Sequence, residues 1–450
     1  MKEKKKTNKR KRGMAALAVL SVLAVAVVGA FGFLVLQLLG RLNPNTGGVP
    51  ADYGDFVDEP EDPARFETLY DITDATNLKS FLFQWWYNGG DDMIRYSRDV
   101  VNVLLIGADS NDGQPGGGRS DTMMLASVNK RTRKITLLSF LRDSYCYYDV
   151  NGEARYNRLN SAFFYGGAQG LMQAVSRLYK IRVDRYITVD FQSFPPLIDA
   201  LGGVTVEVTE QEAKFINRTA PSQNGDFPAG PAVRLTGRQA LIYSRIRKLD
   251  SDIGRVNRQQ KVIESILQSA RKANVVQLYN ALDVTLPYVQ TNYSRSELLG
   301  LIPSAAGWLN FDLVNMNSPV IEGTIVDGAV VDSTVSNAIG ATINGMDILI
   351  VDYPKAAQQV QMALYGASNI DLQDGAHRNA YIEELFAGAE QRRGSSTRAT
   401  QEKTEEEDGT GRPGWPWPWG HERQEGTQPA PEDPGRGATE TEPAYFWPFG

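Results

Sequence analysis

The stretch of this sequence with the clearest chemical potential is YSRIRKLDSDIGRVNRQQ, which runs from Tyr243 to Gln260 and contains four arginines. If its first part is an extended strand, Arg245 and Arg247 point to the same face, because side chains alternate along a strand. Arginine does not lose its proton in proteins, and its planar fork matches phosphate oxygens. The spacing therefore predicts a site for a multiply charged anion.

The second part of this stretch has helical spacing. Arg255, Arg258 and Gln259 stand at positions i, i+3 and i+4 of a helix expected from about Ile253 to Lys272, so they share one of its sides. A solvated basic helix, with ion pairs to the acidic turn before it, fits the segment equally well. The segment alone leaves both interpretations open.

Two aspartates and a further arginine stand at the ends of apolar runs upstream. These runs predict three consecutive strands, at residues 100–106, 122–128 and 135–140. If the strands run up, down and up, then Asp109, Asp121 and Arg142 lie at one edge of the sheet. Two carboxylates beside an arginine suit a magnesium ion that holds a phosphate. Aspartates that only cap turns are the alternative.

Helices and strands alternate over the rest of the chain. Helices are predicted at residues 168–179, 194–201, 237–243, 253–272 and 355–365, and strands at 186–189, 204–208, 320–326 and 347–351. This alternation predicts an α/β fold, an αβα sandwich with a central mixed β-sheet. Asn160 either orients the arginine cluster or caps a helix.

The N-terminus predicts a membrane anchor. Residues 1–13 form a basic head, and residues 14–40 carry no charge. That apolar run exceeds the ~20 residues that span a bilayer and the ~7–15 apolar residues of a cleavable signal. By the positive-inside rule the head is cytoplasmic and the main domain is extracytoplasmic. A long cleaved signal peptide is the alternative, and it also exports the domain.

Composition restricts the possible catalytic groups and indicates the domain boundaries. The single cysteine, Cys146, cannot form an internal disulfide, and the two histidines stand near or in the C-terminal tail, which argues against a histidine-ligated zinc site or a serine–histidine triad. Residues 41–99 are read as a membrane-proximal segment whose aromatic residues, at 81–86, pack on the main domain or lie at the bilayer surface. Residues 100–389 are expected to form the catalytic domain, and 390–450 a disordered tail.

Several short motifs occur in a characteristic order between Val100 and Arg271. They are GRSDTMM at 118–124, LRDS at 141–144, LIDALGGV at 197–204, and the arginine stretch at 243–260. With the anchor, these motifs resemble the LytR-CpsA-Psr (LCP) family. The chain departs from the family pattern at Asn111, where an arginine is common, and at Leu141, where a proline is common.

The resemblance implies an activity and a set of site residues. Family members look like extracytoplasmic enzymes that transfer a phosphate-linked glycopolymer from an undecaprenyl-pyrophosphate carrier onto peptidoglycan. By motif, Asp109 and Asp121 match magnesium-binding aspartates. Positions around the pyrophosphate match Arg119, Arg142, Arg245, Arg247, Arg255 and Gln259, and Arg258 belongs to the same helical motif. The family fold also implies an apolar tunnel for the polyprenyl tail.

Other functions use the same residues. A hydrolase would release the polyprenyl pyrophosphate to water, and a non-catalytic receptor would bind anionic lipid or wall polymer through the arginines. Retention of both aspartates argues against the receptor, because anion binding gains nothing from adjacent carboxylates. Nucleic-acid binding is excluded by the predicted location outside the cell.

Overall fold

The structure, a computed structural model, describes residues 68–88, 92–108, 120–150, 152–190, 194–219, 227–246, 249, 252–294, 296–298, 300, 307–308, 310–319, 325–326, 329–330 and 337–392. The predicted head and anchor, and the tail beyond residue 392, lie outside this range. Among the described residues, no helix combines the length and the apolar character needed to cross a membrane.

Strands and helices both occur throughout the described part of the chain. In chain order they are β1 (Thr68–Ile72), α1 (Thr76–Tyr87), β2 (Val100–Ala108), β3 (Ser120–Asn129), β4 (Lys134–Phe140), β5 (Tyr145–Val150), β6 (Glu153–Arg158), α2 (Asn160–Tyr179), β7 (Arg185–Asp190), α3 (Phe194–Ala200), β8 (Val204–Val208), α4 (Glu210–Thr219), β9 (Gly230–Leu235), α5 (Gly237–Arg245), α6 (Asp252–Lys272), α7 (Val275–Thr285), β10 (Val289–Thr291), β11 (Asp312–Ser318), β12 (Ile325–Val326), β13 (Ala329–Val330), β14 (Ala338–Ile343), β15 (Met346–Val351) and α8 (Tyr353–Tyr365).

A six-stranded mixed sheet, in the order β10-β7-β2-β3-β4-β11, forms the centre of the fold. β2, β3 and β4 are consecutive antiparallel neighbours, as the apolar runs predicted. β7 runs parallel to β2, and β11 runs parallel to β4. The predicted central mixed sheet is therefore confirmed.

The two faces of this sheet contact different apolar layers. Met123 and Leu125 of β3 belong to a large cluster with Leu171 and Val175 of α2, whereas Met124 between them packs with Ile263 of α6 on the opposite face. Side chains of a strand point alternately to the two faces, so one apolar run serves two layers of helices. This arrangement is the predicted sandwich.

The structure contains strands and a helix that were not predicted from the sequence. β5 and β6 pair as an antiparallel hairpin, and α4 and β9 stand between the predicted strand at 204–208 and helix at 237–243. The hairpin has a recognisable signal, because Asn151 and Gly152 form the Asn-Gly dipeptide that favours tight β-turns. Gly152 has a φ of 80°, a conformation that glycine adopts without strain.

Helix α1 packs on the main domain, which resolves one open alternative. Phe81, Trp85 and Trp86 are at most 4% exposed and join the large apolar cluster, while Phe83 is 46% exposed. The indole of Trp85 also donates a hydrogen bond to the carbonyl oxygen of Leu178, at 2.8 Å. Three of the four aromatic residues thus belong to the core of the domain.

Candidate active site

The ends of three central strands meet at one edge of the sheet. Ala108, the last residue of β2, pairs with Ser120, the first residue of β3. Asp121 follows Ser120, and Asp109 follows Ala108 in the sequence. The backbone position of Asp121 confirms its predicted place at this edge, next to the carboxyl end of β4. The side chain of Asp121 and all of Asp109 lie outside the described residues.

Arg142 lies in a buried turn directly after β4. Its side chain is 5% exposed, and its Nε is 3.5 Å from a carboxylate oxygen of Asp143. The other oxygen of Asp143 accepts a hydrogen bond from Arg158 of β6, at 3.0 Å. The backbone amide of Asn160, the first residue of α2, donates to the carbonyl oxygen of Arg142 at 3.3 Å. The turn that carries Arg142 is thus held by β6 and α2.

Helix α6 is fixed against this edge by a buried glutamine. The side-chain amide of Gln260 donates to Ser139 Oγ at 2.9 Å, Asn317 Oδ1 at 2.9 Å and the carbonyl oxygen of Met316 at 3.0 Å. These acceptors lie at the carboxyl ends of β4 and β11. A satisfied buried polar network fixes the relative position of the elements it joins. Gln260 therefore sets where the first turns of α6 lie.

An apolar contact brings Arg255 to the turn of Arg142. Val256 of α6 forms a small buried cluster with Leu141 and Leu349, and Leu141 immediately precedes Arg142. Arg255 is only 3% exposed. The structure therefore brings Arg142 and Arg255, more than 100 residues apart in the sequence, to one edge of the sheet.

Arg258 lies in the same helix but bonds to protein groups. Its Nη2 donates to the carbonyl oxygen of Ile246 at 2.7 Å, and its Nη1 is 3.2 Å from a carboxylate oxygen of Glu212. The other oxygen of Glu212 accepts hydrogen bonds from Thr209, in front of α4. Arg258 thus links α6 to α4 and to the segment that carries the remaining arginines. Its contact with a pyrophosphate stays a prediction.

The expected strand at Arg245 is wrong, because this residue ends helix α5. The helix begins with a capping box, in which the side chains of Thr236 and Gln239 satisfy each other's backbone amides. Its apolar side, including Leu241 and Tyr243, is buried. The helix therefore continues to Arg245, and Ile246, with φ of −56° and ψ of 125°, is its first non-helical residue. The Nε2 of Gln259 lies 3.5 Å from the carbonyl oxygen of Ser244 in this helix.

The sequence reading left out three residues that support the site. Asp143 and Arg158 form the ion pair behind Arg142, and Glu212 forms an ion pair with Arg258. Asp143 stands inside the LRDS motif, so the motif contains a signal for its role. Glu212 pairs with Arg258 across 46 residues, and no local pattern predicts such a contact. Of the predicted residues, Arg119 and Arg247 lie outside the described part of the chain.

The buried thiol and phenol beside the site are poor nucleophiles. Cys146 is fully buried, and burial raises the pKa of its thiol. Burial also raises the pKa of Tyr145 to about 12. Both groups therefore stay protonated near neutral pH. Among the side chains that the structure describes, no group of three His, Cys, Asp or Glu is placed to hold a metal ion.

Comparison with protein families gives a match over most of the described residues. The sequence model of the LytR_cpsA_psr family matches residues 77–358. This range contains the sheet edge, the turn of Arg142 and the whole of α6.

Curated relatives match the same region. A polyisoprenyl-teichoic acid–peptidoglycan teichoic acid transferase, TagU of Oceanobacillus iheyensis, is 34% identical over 264 residues, which cover 56% of this chain and 72% of that protein. TagU of Enterococcus faecalis is 37% identical over 190 residues, 41% of this chain and 59% of that protein. The chain thus spans about three fifths of the length of the latter relative.

Two solved structures also resemble this chain. Protein gbs0355 of Streptococcus agalactiae has a TM-score of 0.49 at 23% identity, over 61% of this chain and 91% of that one. TagT of B. subtilis has a TM-score of 0.45 at 22% identity, over 60% of this chain and 93% of that one.

Proposed function

The chain belongs to the LytR_cpsA_psr family, and from that membership we propose that it is a phosphotransferase of cell-wall assembly. Its donor is a glycopolymer linked to an undecaprenyl-pyrophosphate carrier, and its acceptor is peptidoglycan. The names of the TagU relatives, polyisoprenyl-teichoic acid–peptidoglycan teichoic acid transferases, support this choice.

The observation that carries the proposal is the pair of buried arginines at the sheet edge. Arg142 and Arg255 are 5% and 3% exposed, and the contact of their neighbours Leu141 and Val256 places both segments at the sheet edge where Asp121 lies. A guanidinium cannot escape the cost of burial by releasing its proton. A pyrophosphate diester offers the doubly charged, forked set of oxygens that arginines bind well.

Each predicted side chain has a role in the proposed transfer. An acceptor hydroxyl attacks the phosphorus that carries the glycan, the bond from this phosphorus to the bridging oxygen breaks, and polyprenyl phosphate leaves. Arg142, Arg255, Arg119, Arg258 and Gln259 bind and orient the pyrophosphate in this proposal. Arg245 and Arg247 stabilise the negative charge that develops on the oxygens. Asp109 or Asp121 accepts the proton of the hydroxyl.

The residues at this edge fit a hard cation. Asp109 and Asp121 follow a directly paired position of β2 and β3, so two carboxylates are attached to neighbouring strands. Magnesium prefers one or two carboxylates together with substrate oxygens. In the proposal these two aspartates hold Mg²⁺, which neutralises charge on the phosphate oxygens.

The proposed enzyme acts outside the cell. We place residues 14–40 across the cell membrane as a single span, with the N-terminus in the cytoplasm and the catalytic domain on the outer side. The support is the uncharged run behind a basic head, both outside the described residues. Such an anchor keeps the domain next to a lipid-linked donor.

Product analysis tests the proposal. The full chain in detergent micelles is incubated with Mg²⁺, a polyprenyl-pyrophosphoryl oligosaccharide and peptidoglycan fragments, and the products are identified by mass spectrometry. A transferase yields a phosphodiester between oligosaccharide and peptidoglycan. Free phosphorylated oligosaccharide would identify a hydrolase, and absence of turnover with retained donor binding would identify a receptor. Either of these results contradicts the proposed transfer.

A further inference from the structure

A row of exposed side chains follows one side of α1. Lys79, Phe83 and Tyr87 stand four residues apart, so they align along the helix. Phe83 and Tyr87 are 46% and 52% exposed, whereas the opposite side of the helix is buried in the core. The helix is therefore firmly packed and still presents aromatic rings outward.

The β5–β6 hairpin supplies two further rings that pack against this row, of which Tyr147 is buried, at 2% exposure, and Tyr156 is partly buried. Tyr147 and its strand partner Tyr156 have ring centroids 5.1 Å apart. The Tyr147 ring lies 5.4 Å from that of Phe83 and 6.0 Å from that of Tyr87. Lys79 Nζ lies 5.7 Å from the Tyr156 ring. We call Lys79, Phe83, Tyr87, Tyr147 and Tyr156 the aromatic strip.

The strip lies close to the candidate active site. In the hairpin, Tyr145 pairs with Arg158, the residue that bonds Asp143 behind Arg142. Tyr147 is two residues further along β5, a distance of ~7 Å at the usual rise of a strand. The hairpin thus connects the strip to the ion pair behind Arg142.

Charge argues against an anionic bilayer as the occupant of the strip. The charged side chains on α1, directly before it and on the outer part of the hairpin are Lys79, Arg155, Asp74, Asp149 and Glu153, which are two cations and three anions. A surface for anionic lipid carries an excess of lysine and arginine. A neutral ligand with many hydroxyl groups faces no such requirement.

The polar groups of the strip suit a sugar. The hydroxyls of Tyr87 and Tyr147 lie 3.2 Å apart, and Gln84 and Ser80 add amide and hydroxyl groups on the same helix. Aromatic rings that combine a large apolar face with a hydrogen-bonding edge match the apolar CH face and the hydroxyl rim of a pyranose ring. Phe83 and Tyr87 are the two rings of the strip that are available for stacking, and the buried Tyr147 packs against both of them.

From these observations we propose that the aromatic strip binds the glycan strand of the acceptor and presents it to the phosphate. This inference rests on the proposed transferase function, for which it names the acceptor-binding surface. The strip binds uncharged pyranose units by stacking, and it contributes no group to the chemical step.

A binding experiment tests the strip independently of turnover. The full chain in detergent micelles is titrated with a peptidoglycan tetrasaccharide without peptide stems and, separately, with farnesyl pyrophosphate. In the double variant Phe83→Ala, Tyr87→Ala the dissociation constant for the tetrasaccharide rises about tenfold or more, because two stacking rings are lost. The dissociation constant for farnesyl pyrophosphate stays as in the wild type.

Two control variants sharpen the result. Tyr87→Phe keeps the ring, so it retains most of the glycan affinity. Tyr96→Ala removes a ring that is 63% exposed elsewhere, so it binds the glycan like the wild type. Unchanged glycan affinity in the double variant, or no glycan binding by the wild type, overturns the proposal. So does a loss of binding to phosphatidylglycerol vesicles with glycan affinity intact, which would identify a membrane contact.

The two proposals fail in distinguishable ways. If glycan binding depends on the strip but no product of transfer forms, the strip stands and the transferase function fails. If transfer proceeds but the double variant binds glycan normally, the function stands and the strip fails.

Discussion

In the described part of the chain, buried cations lie in two regions that hold them differently. At the carboxyl end of α1, the fully buried Lys180 donates to the carbonyl oxygens of Trp85 at 2.8 Å, Trp86 at 3.3 Å and Asn88 at 3.0 Å. An ammonium group has three hydrogens, so these bonds use all of them. They also satisfy carbonyl groups that a helix end leaves without partners. Lys180 is therefore a structural cation.

At the sheet edge, the buried cations are arginines on motifs from different parts of the chain. Leu141 and Val256, the neighbours of Arg142 and Arg255, are in contact where the aspartate-bearing strands also end, and Arg258 braces the adjoining segment. A guanidinium has five donors in a fixed plane, a geometry that suits a phosphate better than scattered carbonyl oxygens. Burial of a cation therefore does not by itself identify an anion-binding site. The geometry of its hydrogen-bond donors and its position at the ends of neighbouring strands identify one.

The largest expected difference between the two regions is in catalysis. Arg255→Ala should lower kcat/KM for transfer about a hundredfold, because an arginine that orients the pyrophosphate keeps it in the reactive geometry. The product assay with wild-type and variant chains measures the loss. Lys180→Met should retain nearly full turnover at a temperature where it is folded. Comparable losses in the two variants would erase the distinction between the regions.

The brace formed by Arg258 should have a large effect on stability. Glu212→Gln removes the charge that faces Arg258, and breaking a buried ion pair costs about 3–5 kcal/mol. Urea denaturation measures the change in the free energy of unfolding. Lys261→Gln is the matched control, because its pair with Glu207 is exposed and should contribute less than about 1 kcal/mol. Equal losses in both variants would contradict the bracing role.

Removal of Lys180 should have a smaller effect. Lys180→Met keeps the length of the side chain and removes its three hydrogen bonds to carbonyl groups at the end of α1. We expect the free energy of unfolding to fall by about 1–3 kcal/mol. Hydrogen exchange of the α1 amides should rise with it. A variant as stable as the wild type would show that the ammonium does not hold α1.

The pH dependence of stability gives the smallest effect. Burial, with Arg177 nearby, lowers the pKa of Lys180 from 10.5 to about 8. Between these values the unfolded chain keeps a proton that the folded chain has lost, so the contribution of Lys180 to the free energy of unfolding increases as the pH rises. Relative to Lys180→Met, the wild type should gain on the order of 1 kcal/mol between about pH 8 and pH 9. A relative loss would contradict this direction.

The central sheet was predictable from the sequence because its strands are local apolar runs. Buried strands need uninterrupted apolar residues, and the runs at 100–106, 122–128 and 135–140 end within two residues of the strands observed. The shared edge of Asp121 and Arg142 followed from their positions at the strand ends. Helix α6 was predictable from its period, and its observed start is Asp252.

The contacts that complete the site were not predictable in this way. The bonds of Gln260 to β4 and β11, and of Arg258 to Glu212, join residues that are distant in sequence and leave no periodic pattern. The strand expected at Arg245 was wrong because the helix predicted at 237–243 continues for two more residues, through the buried Ser244 to Arg245. The missed hairpin had a local signal, the Asn-Gly dipeptide, in its turn.

The most direct test of the central claim is calorimetric titration of the full chain with farnesyl pyrophosphate in the presence of Mg²⁺. The account predicts that the wild type binds this diphosphate at least tenfold more tightly than farnesyl monophosphate, and that Arg255→Ala loses most of this preference. Equal affinities of the wild type for the two lipids, or an unchanged preference in the variant, would contradict a pyrophosphate site built on the buried arginines of the sheet edge.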